Sequence, residues 1–302
     1  MNRRLLALLG SLAAIFVAFL LLARPWYLRW GATDYDTRRA LPGDEIIPNA
    51  VSQETRVITI AAPIERVWPW LAQLGQDRGG FYSFDLLENL VGCGMPTEDL
   101  LRPGAQAWRL GDKLWMYPPA RAGGIGFATL RSYLPGRALG FGTRTMGAAI
   151  SAPEDGSWSF MLEPTLDGGT RLLIRGRGAP GRSLGGRIFD RLIFEPVHFV
   201  MERRTMLGIK ELAEGRPRTR LVNHVQVVLW VLTFAGVVAA AGLVLRARRW
   251  GRALGTLVAG CLLFELLTLL QPPVLLGVFA VAALSLLVLA SRRRRPGSPS
   301  TV

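Results

Sequence analysis

The chain has 302 residues, half of them hydrophobic, with a net charge of +14 and two cysteines. The charge is unevenly placed: residues 31–214 hold 21 Arg and Lys against 21 Asp and Glu, while the flanks hold 15 Arg against one Glu. A nucleic-acid binder carries its basic patch on the folded domain, so a neutral domain between basic flanks excludes nucleic acid and makes the lipid bilayer the expected partner.

Leu5–Ala23 is unbroken in apolar or small residues, long enough to cross a bilayer, which takes about 20 residues. Arg24-Pro25-Trp26 follows where a cleaved leader would need small residues, so residues 1–30 read as an uncleaved anchor with its span at 5–23. Trp26, Tyr27 and Trp30 suit an interfacial aromatic belt.

Residues 31–215 form the globular domain, with its core at 55–214. After the lead-in Leu41–Glu45, Thr55–Ile60 reads as a strand, rich in β-branched residues and stopped near Pro63. Ile64–Leu74 is a short helix with Pro69 inside it, and Phe81–Val91, after Gly79-Gly80, is a second. The period then changes to two. Asp112–Tyr117, Ile125–Ser132, Arg137–Thr143, Ser157–Glu163 and Thr170–Gly176 are expected strands of a half-buried antiparallel sheet. In the fourth of these, Trp158, Phe160 and Leu162 share one face, and Ser157, Ser159 and Glu163 the other. In the fifth, Leu172 and Ile174 oppose Arg171, Leu173 and Arg175. Arg187–Ala213 is a long helix that Pro196 should kink. Such segregation of strands and helices argues for α+β. A curved sheet around one long helix leaves a cavity lined by the inward alternates.

The membrane block, 216–291, has spans at 222–245, 254–270 and 274–290, with Pro272-Pro273 between the last two; two spans are favoured over a re-entrant hairpin. Residues 292–302 are a basic, disordered tail. Arg3, Arg4, Arg246–Arg252 and Arg292–Arg295 share one face if all spans cross, against Arg24, Arg29, Arg216, Arg218 and Arg220. Cytoplasmic loops collect Arg and Lys. The expected arrangement is a multi-pass cell-membrane protein with both termini cytoplasmic and the domain outside.

The run Ala62–Gly75 (APIERVWPWLAQLG) followed by Gly80–Leu90 (GFYSFDLLENL) resembles the SRPBCC superfamily, the START-like, helix-grip proteins, and more narrowly its membrane-attached bacterial members of unassigned role. Leu110-Gly-Asp-Lys113, Ser157-Trp-Ser-Phe160 and Glu195–Arg204 extend the resemblance over roughly 41–214. It implies a helix-grip domain with an apolar internal cavity for lipid-like or polycyclic ligands, and in some relatives cyclase or dehydrase chemistry. Relatives often carry a His-containing segment where this chain has Gly92–Thr97, so a role for that His does not carry over.

Trp70, Trp115, Tyr117, Phe127, Trp158 and Phe160 are the aromatic candidates for lining such a cavity, though most aromatics on alternating strands are simply core. Tyr82 and Asp85 lie by the second helix, with Glu88 and Asn89, and are the first residues to test for ligand contact or acid–base work; Arg78 and Arg203 are their expected salt-bridge partners. Glu195, His198 and Glu202 share a helical face with Arg191 a turn before, and a solvated stripe with Glu–Arg pairs is expected there over a metal site. Two histidines and two separated cysteines give no metal cluster by spacing, so neither metal nor cofactor is expected, and His198 enters as a ligand contact. Glu265 stands alone in an apolar span, where a carboxyl bonded to Thr268 or a backbone carbonyl, or a position near the interface, is expected over a transport role. The leading expectation is a non-catalytic module that binds a hydrophobic small molecule. The rivals are a cyclase- or dehydrase-like enzyme and a membrane interaction protein with no known protein partner.

Overall fold

The structure is a computed structural model that describes residues 3–96, 99–120, 126–145, 148–180, 183–247 and 250–292. The expected disordered tail beyond Arg292, and Thr97, Gly123, Gly124, Ile125, Arg248 and Arg249, lie outside those residues. The chain divides into two compact units, Pro25–Thr219 and Met1–Arg24 with Arg220–Val302.

In the first unit six strands form one antiparallel sheet in the order β1-β6-β5-β4-β3-β2. They are β1 (Ser52–Ile60), β2 (Lys113–Trp115), β3 (Phe127–Leu134), β4 (Ala138–Thr143), β5 (Gly156–Pro164) and β6 (Thr170–Gly178). All six expected strands are present, and β2 is cut to three residues. Period-two alternation decides the inward face. Ile58 and Ile60 of β1, Trp158, Phe160 and Leu162 of β5, and Leu172 and Ile174 of β6 enter one core. Met206, Ile209, Leu212 and Ala213 of the long helix join them, so the sheet wraps around that helix. Their side chains, with Phe141, Leu130 and Trp108, pack against one another between sheet and helix.

The long helix runs as Leu184–Phe189, a π-helical stretch Asp190–Phe194, and Glu195–Ala213. Pro196 has no N–H to give the carbonyl four residues back, and the wide turn just before it absorbs the missing bond. The expected kink therefore takes the form of a π-turn. The first short helix is Ile64–Ala72, with Pro69 inside. The second spans Asp85–Leu90, not Phe81–Val91. Tyr82 instead adopts φ 54°, a conformation that costs a bulky residue about 1 kcal/mol or more. Contacts with the long helix impose it: Ser83 Oγ donates to Met201 O at 2.8 Å, and Tyr82 crosses the helix at Gly208. A Cβ at Gly208 would lie 2.4 Å from the Tyr82 carbonyl oxygen.

The outer face of the sheet departs from expectation. Ser157, Ser159 and Arg175 are buried, because residues 32–47 fold across that face. Leu41, Val57 and Leu173 form a small apolar cluster there. Arg175 donates to Asp44 Oδ2 at 2.7 Å, Arg39 O at 2.9 Å and Thr55 Oγ1 at 3.1 Å. Asp36, fully buried, takes bonds from Arg171 at 2.6 Å and from the Thr33 backbone and hydroxyl. Burial works to raise its pKa, but those donors bring it down to about 2.

The second unit holds apolar helices. Among the described residues, four helices are long and apolar enough to cross a bilayer: Arg3–Leu28, Arg220–Arg246, Trp250–Leu270 and Val274–Ser291. The last two are separate helices, broken at Gln271 (φ 48°) and Pro272-Pro273. Trp230 Nε1 donates to Leu267 O at 3.0 Å, and Gly236 and Gly260 admit Leu284 between their helices. Thr268 Oγ1 donates to the carbonyls of Phe264 and Glu265.

Candidate functional site

Glu54 and Arg56 fall on the same alternation as Ile58 and Ile60, so β1 aims two charged side chains at the interior. His198 and Glu202, one helical turn apart, meet them from the long helix. Arg56 Nη1 lies 2.6 Å from Glu202 Oε1, its Nε donates to Tyr27 O at 3.0 Å, and Nη2 is 3.4 Å from Glu54 Oε2. Trp158 Nε1 occupies the other Glu202 oxygen at 2.7 Å. Neither Arg56 nor Glu202 reaches solvent (0% and 2% exposed). Charges so deep persist only when paired and hydrogen-bonded. Gly176 of β6 faces both Glu54 and Trp158 in register, and a Cβ there would lie 2.7 Å from Glu54 Oε1. The missing side chain is what lets Glu54 lean toward the helix.

His198 is bracketed: Nδ1 lies 3.4 Å from Glu54 and Nε2 3.9 Å from Glu202. A carboxylate therefore faces each ring nitrogen at ion-pair distance, without a hydrogen bond to either. Burial works against its charge, but the two carboxylates outweigh this and hold its pKa above the ordinary range. Glu54, His198 and Glu202 could also supply three metal donors, all within 4.8 Å of one another. Arg56 already stands between the carboxylates, however, and a cation there would have to displace the guanidinium. Of the helical trio read from the sequence, Glu195 goes elsewhere, accepting from Tyr27 Oη at 3.3 Å.

A ladder of rings leads outward from this cluster. Phe160 is fully buried; Trp158 lies 4.6 Å from it, His198 5.5 Å from Trp158, and Phe194 stacks on His198 at 5.3 Å with 10° between planes. Phe194 is 45% exposed. Beyond it Leu184, Ile188, Phe189, Leu192, Ile193 and Val197 are all exposed. The structure thus brings together three of the nine expected ligand contacts, Trp158, Phe160 and His198. It places the rest elsewhere. Trp115 and Phe127 pair at 5.1 Å on β2 and β3 beneath Lys113. Trp70 meets Tyr82 edge-on at 5.9 Å, and Tyr117 lies beside the Cys93 thiol.

Tyr82 and Asp85 are engaged in structure. The Tyr82 hydroxyl accepts from Gln73 Nε2 at 2.8 Å, and burial pushes its pKa up. Asp85 takes a two-pronged contact from Arg218, at 3.1 and 3.0 Å, and Arg218 also holds Asp99 at 2.5 Å. The salt bridge expected of Arg78 or Arg203 is thus supplied by Arg218. Arg78 donates to the Ala105 and Ala107 carbonyls and covers Trp108, and Arg203 lies over Trp30. Arg218, counted in the sequence as a membrane-flanking charge, is folded into the domain. Beside Asp85, burial and that neighbouring carboxylate raise Glu88 to about 8.

Arg56 and Glu54 were not singled out from the sequence. Their signal is present in it: two ionisable residues in phase with the inward Ile58 and Ile60.

The sheet order and the enclosed long helix define a helix-grip domain, the fold that the resemblance to the SRPBCC superfamily implied. No protein-family model matches the sequence, and no curated protein does. Solved structures similar to it include protein MLL2253 of Mesorhizobium loti (14% identity, TM-score 0.32, covering 55% of this chain and 99% of that one). A protein of Nitrosospira multiformis is similar at 17% identity and TM-score 0.31, covering 53% of this chain and 96% of that one. The polyketide cyclase-like protein Cgl2372 of Corynebacterium glutamicum has 18% identity and TM-score 0.25, covering 56% and 90%.

Proposed function

We propose that this protein is a membrane-anchored helix-grip module that binds a lipid or another hydrophobic small molecule without transforming it. The observation that carries the reading is the ring ladder at the open end of the grip, Trp158–His198–Phe194, continuing into exposed apolar side chains of the long helix. Exposed apolar surface of this extent marks an interaction site. The interior between sheet and helix is occupied by the protein's own side chains, so the ligand is assigned to the open end, with His198 and its carboxylates offering a polar contact for a head group. Tyr82 and Asp85, committed to Gln73 and Arg218, lend no support to an enzymatic alternative. Four helices of sufficient length and apolarity supply the anchor, and the arginine distribution favours cytoplasmic termini with the domain outside.

A photoreactive fatty acid added to membranes holding the full chain tests this. Labelling of the peptides carrying Phe194 and Trp158, competed away by unlabelled lipid, is expected. Labelling confined to the apolar helices would contradict the reading.

A further inference from the structure

The first half of the long helix is an arm that the domain does not cover. Every described residue from Ser183 to Phe194 is exposed or half-exposed, whereas Phe199, Val200 and Glu202, a turn or two further on, are buried. The arm's apolar residues follow more than one row: Leu184, Ile188 and Leu192 make one i,i+4 line, and Phe189, Ile193 and Val197 a second. A helix apolar on several sides is a helix that something surrounds.

Position in the chain identifies the surroundings. The first apolar helix ends at Leu28, and the aromatic residues of its last turn clamp the long helix just beyond the arm. Tyr27, fully buried, stacks on Phe199 at 5.4 Å and bonds Glu195; Trp26 meets Phe199 edge-on at 5.5 Å, and Trp30 does so at 6.2 Å. With a rise of about 1.5 Å per residue, Ile188–Phe194 lie roughly 8 to 16 Å from Phe199 along the helix. The arm is therefore held where an anchored chain enters the bilayer.

We infer that Leu184–Val197 lies in the bilayer interface, its apolar rows among the acyl chains, so that the ring ladder opens directly into lipid. This rests on the anchoring proposed above and names phospholipid as the arm's partner. Arg187 and Arg191, both exposed, are placed to reach toward phosphate head groups in the way of interfacial helices.

The test uses the full chain in phospholipid nanodiscs with p-benzoylphenylalanine replacing one residue at a time, at exposed positions where folding is not at stake. Ile193 probes the arm and Phe16 the first apolar helix. Leu110, exposed just before β2 at the sheet edge opposite β1, is the control. Irradiation and mass spectrometry should give phospholipid adducts at Ile193 and Phe16 at least about tenfold above Leu110. Adducts at Phe16 but not Ile193 would overturn the arm's assignment and leave the anchor standing. Adducts at Ile193 to a second copy or another protein would also overturn it. Absence of lipid adducts at Phe16 would remove the anchoring itself.

Discussion

The Arg56 guanidinium lies 2.6 Å from the Glu202 carboxylate and joins β1 to the long helix at a depth neither side chain shares with water. Removing one member of a buried pair leaves the other unpaired, at a cost of about 3–5 kcal/mol. Arg56→Ala should therefore lower the thermal midpoint of the full chain in detergent sharply, with Arg56→Lys intermediate. A loss below about 1 kcal/mol for Arg56→Ala would show that water reaches Glu202.

Two groups make stability fall as pH rises. Glu88 is raised from 4.5 to about 8 by burial and Asp85; a folded pKa above the unfolded one stabilises fully below about 4.5, and that contribution is lost as pH climbs to about 8. His198, also raised, contributes below about 6.5 and loses its contribution above, through its folded pKa. Glu88→Gln should leave unfolding at pH 4.5 near the parent value and raise stability at pH 8 by about 2 kcal/mol or more, with about 5 kcal/mol as the ceiling that a shift from 4.5 to about 8 sets. His198→Gln should flatten the remaining slope above pH 6.5. Parallel pH curves for parent and Glu88→Gln would contradict the assignment.

Gly208 reverses the usual helix rule. Ala in place of an interior helix Gly ordinarily gains about 1 kcal/mol. Here the added Cβ would meet the Tyr82 carbonyl at 2.4 Å and its Cβ at 2.7 Å. Gly208→Ala should instead cost about 1–3 kcal/mol, the range for overpacking, and denaturant unfolding will show the sign.

The Glu54–His198–Glu202 group should not depend on a cation, because Arg56 already lies between its carboxylates. Chelator treatment, or zinc or manganese at micromolar concentration, should leave the melting temperature unchanged. A rise of several degrees saturating with metal would reassign the trio as a metal centre.

The strands were legible because alternation is a strong local signal: Trp158, Phe160 and Leu162 point inward as their spacing requires. The start of the second short helix was not, because Gly208, 126 residues away, bends Tyr82 out of helical geometry. Burial of Ser157, Ser159 and Arg175 was equally hidden, since residues 32–47 carry no pattern that says which face they cover. The site was half legible. His198 and Glu202 share a helical face in the sequence, but their partners on β1 lie about 145 residues earlier, and only the fold brings them together.

The central claim is that the open end of the grip holds an apolar molecule drawn from the membrane. It is tested most directly by mass spectrometry of small molecules extracted with the full chain from native membranes, comparing the parent with Phe194→Ala, a change at an exposed ring that stacks on His198. One class of apolar molecule is predicted at near one per chain in the parent and severalfold depleted in the variant. The same molecules at the same low level in both, matching bulk lipid, would contradict the account.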